Sequence, residues 1–255
     1  SVNELQNYPK YTATSIIGYK KAKKLEPYIN FKGNENIVFS KEDGAIDPKD
    51  AISKMINAIK KNGGKVLYPC KFEKVIESND LFSKVKTSMG VLKSENIIFC
   101  NGVDVDKSLN INFLKEPRPG VIIKTKPKKN LINSIVYGPN IHAHQQSNGQ
   151  LIIGEQITAP TEQNSLNHLK RINKHFKNMV RGASDLNPSE VLIGWRPIPK
   201  DDLPVIGRFK NKSIYVAVMH SGISLAAIVG NLVTQEIVDE VDSLLLNDFR
   251  PSRFF

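Results

Sequence analysis

In 255 residues the sequence holds only two cysteines and one tryptophan, and it nowhere runs to about 18 consecutive apolar residues. The missing apolar run excludes a membrane-spanning helix. Cys70 and Cys100 stand alone, without a C-x-x-C pair. That excludes the usual zinc spacings and a disulfide framework, so no metal is expected and both read as buried free thiols. Ser1-Val2-Asn3-Glu4 offers no basic stretch leading into an apolar one. No secretory signal is expected, and the cytoplasm is the expected location. Internal repeats and low-complexity segments are lacking too.

Acidic residues are the scarcer charge, 25 against 36 basic ones, for a formal net charge of +11. Such a balance draws nucleic acid or an anionic ligand. The lysines are scattered, however: Lys20, Lys21, Lys23 and Lys24, then Lys60 and Lys61, then Lys126, Lys128 and Lys129. No aromatic residues interleave with them to stack bases. A solvated basic surface accounts for this pattern, and no nucleic-acid partner is expected.

The residues that are present mark an α/β chain. Asp47-Pro48-Lys49-Asp50 has the grammar of a helix start: a capping aspartate, proline at the first helical position, an acid in the first turn. Ala51, Ile52, Met55, Ile56 and Ile59 then form one apolar stripe, and Gly63-Gly64 ends it. Short extended runs follow at 65–69, 72–76, 84–88 and 96–102, with a hairpin turn at Met89-Gly90. A helix followed by a strand at 47–68 suggests an α/β sheet. From Pro117 to Gly154 the runs become β-rich, and a polar helix is expected from about Thr161 to Val180. A strand at 213–219 and an apolar helix from Gly222 close the chain. The expected architecture is two interleaved domains, one of 1–46 with 103–200, the other of 47–102 with 201–255.

Two stretches carry chemistry. In "SIYVAVMHSGISLAAIVG" a buried strand runs through His220-Ser221-Gly222 straight into a helix. The glycine allows close approach to the backbone, and the helix start offers unpaired N–H groups and a positive dipole end. That suits an anion or an electron-rich carbonyl; a packing turn of small residues has the same pattern. "GWRPIPKDDLPVIGR" sets Trp195 and Arg196 at the head of a loop braced by three prolines. A two-pronged guanidinium held there suits a carboxylate. The alternative pairs Arg196 with Asp201 or Asp202 in the same loop. His142 and His144 alternate on a strand edge without a third metal ligand, and His168 and His175 read as surface residues.

Taken in order, these pieces resemble the D-amino acid oxidase and glycine oxidase superfamily of FAD-dependent amine oxidoreductases. "KLEPYI" and "EDGAIDPKDAISKMINAIKKNGGKVL" are similar to its Leu-Glu-Pro and Asp-Pro helix segments. "TSMGVLKSENIIFCNG" is similar to its hairpin and cofactor-side turn, and "GWRPIPKDDLPVIG" to its Gly-x-Arg-Pro stretch. "HSGISLAAIVGNLVTQEI" with "DFRPSRF" is similar to its last helix and tail. The resemblance implies an incomplete FAD-binding Rossmann-like domain (47–102 and 201–255) interleaved with a β-rich substrate domain. It implies FAD near Phe72, Asn101, Gly102, His220, Ser221, Gly222, Ile223, Ser224 and Leu225. Arg196 and His220 would be catalytic, and Trp195, Arg196 and His142 would bind an amino acid or amine. Two departures accompany it. The family's opening G-x-G-x-x-G βαβ unit is not among these residues: it belongs to a longer protein of which this is a part, or a further chain supplies it as a partner, or it was lost, which leaves a non-catalytic remnant as the alternative. Ser224 stands where sarcosine-type oxidases carry a lysine that assists oxygen reduction, which leaves a dehydrogenase open.

Overall fold

The computed structural model describes residues 14–155, 165–183 and 186–255. In chain order the elements are β1 (Thr14–Ile17), α1 (Tyr19–Leu25), β2 (Ile37–Ser40) and α2 (Pro48–Lys61). Next come β3 (Phe72–Ser78), β4 (Ser83–Thr87), β5 (Gly90–Ser94), β6 (Ile97–Phe99) and α3 (Val105–Leu109). Then follow β7 (Arg118–Thr125), β8 (Val136–Tyr137), β9 (Ile141–Gln145), β10 (Leu151–Glu155) and α4 (Ser165–Met179). The last are β11 (Pro188–Arg196), β12 (Val205–Phe209), β13 (Asn211–Val218) and α5 (Gly222–Val238). The expected start of the polar helix near Thr161 lies outside the described residues.

Two compact units result, residues 1–46 with 119–194 and residues 47–118 with 195–255. The sequence expectation grouped 103–118 and 195–200 with the first of these. Backbone pairing explains the difference. Lys115 N–H donates to the Ile198 carbonyl at 2.8 Å and Lys200 N–H to the Phe113 carbonyl at 2.9 Å, tying the two segments together inside the second unit.

The first unit is built on a five-stranded sheet in the order β11-β7-β10-β9-β8, with β7, β10, β9 and β8 antiparallel. Alternate residues Val121, Ile123, Ala143, Leu151 and Ile153 are buried on one face, where Ile172 and Phe176 of α4 meet them. Period-2 alternation meets helical period here, as a half-covered sheet requires. His168, expected at the surface, is fully buried. Its Nδ1 lies 3.3 Å from Glu155, and Arg171 grips the same carboxylate at 2.7 Å. The i, i+3 spacing of His168 and Arg171 puts both on one helix face, so the partly exposed Arg171 reaches the same carboxylate from the rim while His168 is buried against it. Glu26, from the Leu-Glu-Pro segment, is buried as well and accepts N–H bonds from Asn133 and Ser134.

The second unit layers three parts around the sheet β12-β13-β6. β12 and β13 are antiparallel, while β13 and β6 run parallel with Ile214, Tyr215 and Val216 opposite Ile97, Ile98 and Phe99. On one face lies the antiparallel meander β3-β4-β5, where Phe72 meets Phe99 edge to face at 5.3 Å. On the other face Tyr215 and Ile206 pack against Val229, Leu232 and Val233 of α5. The C-terminal tail is locked to this layer by Glu236, which receives Tyr215 O–H at 2.5 Å and the Arg250 guanidinium at 2.6 and 2.8 Å.

Asp47 caps α2 as expected, accepting from the N–H groups of Lys49 and Asp50. The strand expected after it does not form: residues 65–68 join no ladder, and no residue of α2 is buried. A strand needs a partner, and none of the described residues supplies one to this segment.

Candidate functional site

The parallel register of β6 and β13 brings their carboxyl ends to one edge of the second unit's sheet. Crevices outside such ends are the usual ligand sites of α/β sheets. From β6 the chain passes through Cys100 and Asn101 to Gly102, whose φ of +58° is in the left-handed region. Asn101 is fixed by its Nδ2, which donates to Ser108 Oγ at 2.8 Å. From β13 it passes through His220 and Ser221 into α5. Asn101, Gly102, His220, Ser221 and Gly222 thus share that edge, while Phe72 lies behind it against Phe99.

The start of α5 is uncapped. Ser221 has the right side chain for a cap, yet it makes no cap hydrogen bond, and its hydroxyl lies 3.2 Å from His220 Nδ1. The first bond of the helix runs from Leu225 N–H to the Ser221 carbonyl at 3.0 Å. The N–H groups of Gly222, Ile223 and Ser224 therefore have no partner within the helix. His220 and residues 221–224 are exposed, and nothing lies within 4 Å of where a side chain on Gly222 would begin.

Gly102 also lies near the proline-braced loop: a Cβ added there would stand 3.9 Å from Pro197 Cγ. The loop is pinned from outside. Asp201 is held by Arg253 through bonds of 2.6 and 3.1 Å, and Asp202 by Lys115 at 2.7 Å. The Arg253 guanidinium holds the Asp201 carboxyl below the usual carboxylate range. Both aspartates that would have neutralised Arg196 are thereby taken. Among the described residues none forms a hydrogen bond or ion pair with the half-buried Arg196, and Trp195 beside it is 44% exposed. Lys115 and Arg253 escaped sequence reasoning, because nothing local announces a partner 87 or 52 residues away.

His142 belongs to the other unit. It lies on β9, which β10 and β8 flank, and so not on a strand edge as expected. Its ring stacks on Tyr137 at 5.4 Å and covers Gly154 on the neighbouring strand. His144 shares its face of the sheet, and burial depresses the His144 imidazole below its ordinary range. Cys70 is half-buried and Cys100 exposed, against the expectation of two buried thiols. Cys100 lies at the surface because it follows the last laddered residue of β6.

Among the described residues no group of three metal-ligating side chains converges, and no helix is long and apolar enough to cross a membrane. Comparison with known proteins places this geometry in context. A family described as FAD dependent oxidoreductase matches residues 4–236. The bifunctional protein ThiO/ThiG of Synechocystis is 21% identical over 223 residues, which is 84% of this chain. The chain spans about a third of that relative, 34% of its length. Among solved structures, L-proline dehydrogenase from P. horikoshii superposes with a TM-score of 0.85 at 23% identity, over 98% of this chain and 71% of the other. Glycine oxidase from Geobacillus kaustophilus gives 0.85 at 16% identity, over 98% and 70%. The mixed α/β fold is theirs.

Proposed function

This chain belongs to the FAD dependent oxidoreductase family, and on that premise we propose that it serves the oxidation of a C–N bond in an amino acid or amine that carries a carboxylate. The observation that carries the reading is Arg196: half-buried, braced by prolines, and without a carboxylate partner because Arg253 and Lys115 hold the two aspartates of its loop. A guanidinium kept in that state binds a planar carboxylate through two parallel N–H bonds. Trp195, beside Arg196 in the second unit, is proposed to line the substrate's surroundings.

The residues at the carboxyl ends of β6 and β13 fit the ring end of FAD. The open N–H groups of Gly222, Ile223 and Ser224, with the positive end of a 17-residue helix behind them, suit an electron-rich carbonyl. His220, Ser221 and the first turn through Leu225 would hold that end, and Asn101 and Gly102 would face it across the crevice. Phe72 is proposed to face the adenine end. The pyrophosphate is another matter: no two glycines of the sequence stand two apart, so the G-x-G cradle is not in this chain. FAD, once held, supplies the two-electron chemistry of the reaction. The chain's own residues orient the substrate through Arg196 and exclude alternative poses.

The test is to tag the chain in its own cells, purify it, and follow the flavin absorption anaerobically while adding glycine, L-proline, sarcosine and D-amino acids in turn. Bleaching by at least one of these carboxylate-bearing amines is expected. A flavin that none of them reduces contradicts the reading.

A further inference from the structure

Of the chain's 255 residues 25 are acidic, yet the stretch 117–154 holds none, against the basic Arg118, Lys124, Lys126, Lys128 and Lys129. That stretch runs from β7 into β10 and supplies most of the first unit's sheet. Carboxylates that approach it are engaged. Glu26 takes the N–H groups of Asn133 and Ser134, Glu155 takes Arg171, and Glu190 faces Lys124 at 3.7 Å. A local excess of positive charge raises the concentration of anions beside it.

A cavity of about 530 Å³ opens within this stretch, where the β9–β10 turn meets the β7–β8 connection. Its size is that of a small-molecule site. Gln146, Ser147 and Asn148 line it from the turn, and Lys128 and Asn130 line it from the connection. Among the described residues no carboxylate lines it, and Ile132 is its one large apolar side chain. Ligand pockets are ordinarily apolar with a few polar groups. One walled by amides, a hydroxyl and an ammonium suits a polar guest of negative charge.

The walls are fixed before any guest arrives. The Gln145 side chain bolts the two segments together: its Oε1 accepts the Leu131 N–H at 2.8 Å, and its Nε2 donates to the Gly149 carbonyl at 2.9 Å. Lys128 N–H donates to the same carbonyl at 2.9 Å. Gly149 has φ of +84°, and a Cβ there would stand 2.9 Å from the Lys128 carbonyl oxygen, so only glycine lets the segments close this tightly. Walls held by their own bonds spare a ligand the cost of ordering them. We propose that this cavity binds a small multivalent oxyanion, a compact molecule bearing phosphate or carboxylate groups. Lys128 supplies charge, while Ser147 and the amide N–H groups of Asn130 and Asn148 supply direction. The site lies wholly in the first unit and is independent of the FAD reading.

The experiment titrates the full chain calorimetrically at low ionic strength, without flavin, using inorganic pyrophosphate and separately citrate. A 1:1 complex with at least one of them is expected, with Kd below about 1 mM. Lys128→Glu should weaken it at least about tenfold, because it reverses the charge lining the cavity. Asn130→Trp, which fills the cavity from an exposed position, should do the same. Lys60→Glu makes the same charge change at an exposed site on α2 in the other unit and should move Kd by less than about twofold. Thermal midpoints within about 2 °C of the wild type would show the variants folded. Binding of pyrophosphate alone assigns a phosphate-bearing guest, and binding of citrate alone a carboxylate-bearing one. Heat from neither overturns the proposal, since a crevice that holds only water behaves so. Equal weakening by Lys60→Glu and Lys128→Glu overturns it too, because the binding would then follow the net charge of +11 and not the cavity.

Discussion

Asp201 is bound by Arg253 rather than by Arg196 of its own loop, through Nε–H to Oδ2 at 2.6 Å and Nη2–H to Oδ1 at 3.1 Å. The bond fastens the loop's tip to the C-terminal tail and leaves the arginine at its head uncommitted. Asp201→Asn is expected to cost about 1 kcal/mol, the usual worth of a partly exposed bidentate pair. Thermal melts near neutral pH would show this as a midpoint lower by about 2–4 °C. Because the folded carboxyl is depressed, the pair stabilises above the unfolded carboxylate range and loses that contribution as pH falls through the folded value. The wild type and the variant should therefore converge in acid.

Glu236 makes the tighter tie. Burial alone would raise its carboxyl, but bonds from Arg250, Tyr215 and the Ser243 N–H outweigh burial and hold it low. Burial, and then the same contact with Glu236, push the Tyr215 hydroxyl well above its ordinary range. Glu236→Gln removes the charge that answers the partly buried Arg250 and weakens its two short bonds, and should cost about 2–3 kcal/mol in urea unfolding. A loss under about 1 kcal/mol would show that the tail is held by its apolar contacts.

In the first unit, Gly154 lies beneath the His142 ring, and a Cβ there would meet Cε1 and Nε2 at 2.2 Å. Gly154→Ala must push the imidazole off Tyr137. A loss of about 1–3 kcal/mol is expected, largely recovered when His142→Ala is added to make room. Additive losses in the double variant would refute the clash as the cause.

The parts that could be read from sequence are those fixed by near neighbours. The Asp47 cap, the stop at Gly63-Gly64, the hairpin at Met89-Gly90 and the last helix from Gly222 depend on residues a few positions apart. What escaped depends on distant ones. Lys65–Leu67 is strand-like in composition, but a strand forms only against another. His168 carries no local sign of burial, which comes from Glu155 on β10 and the sheet it covers. The division near 103 and 200 failed to foresee that Phe113–Lys115 would pair with Ile198–Lys200. Arg196 itself was legible as a candidate; its freedom was not, because Lys115 and Arg253 settle that from afar.

The most direct test of the account compares an amino acid with the amine formed by its decarboxylation, using flavin-loaded protein. The wild type should prefer the amino acid in kcat/KM, and Arg196→Met should erase that preference, with a loss of about 30-fold or more on the amino acid alone. Flavin absorption should stay unchanged, since the arginine is proposed to touch substrate only. An undiminished preference in the variant would contradict the carboxylate role of Arg196, and with it the account.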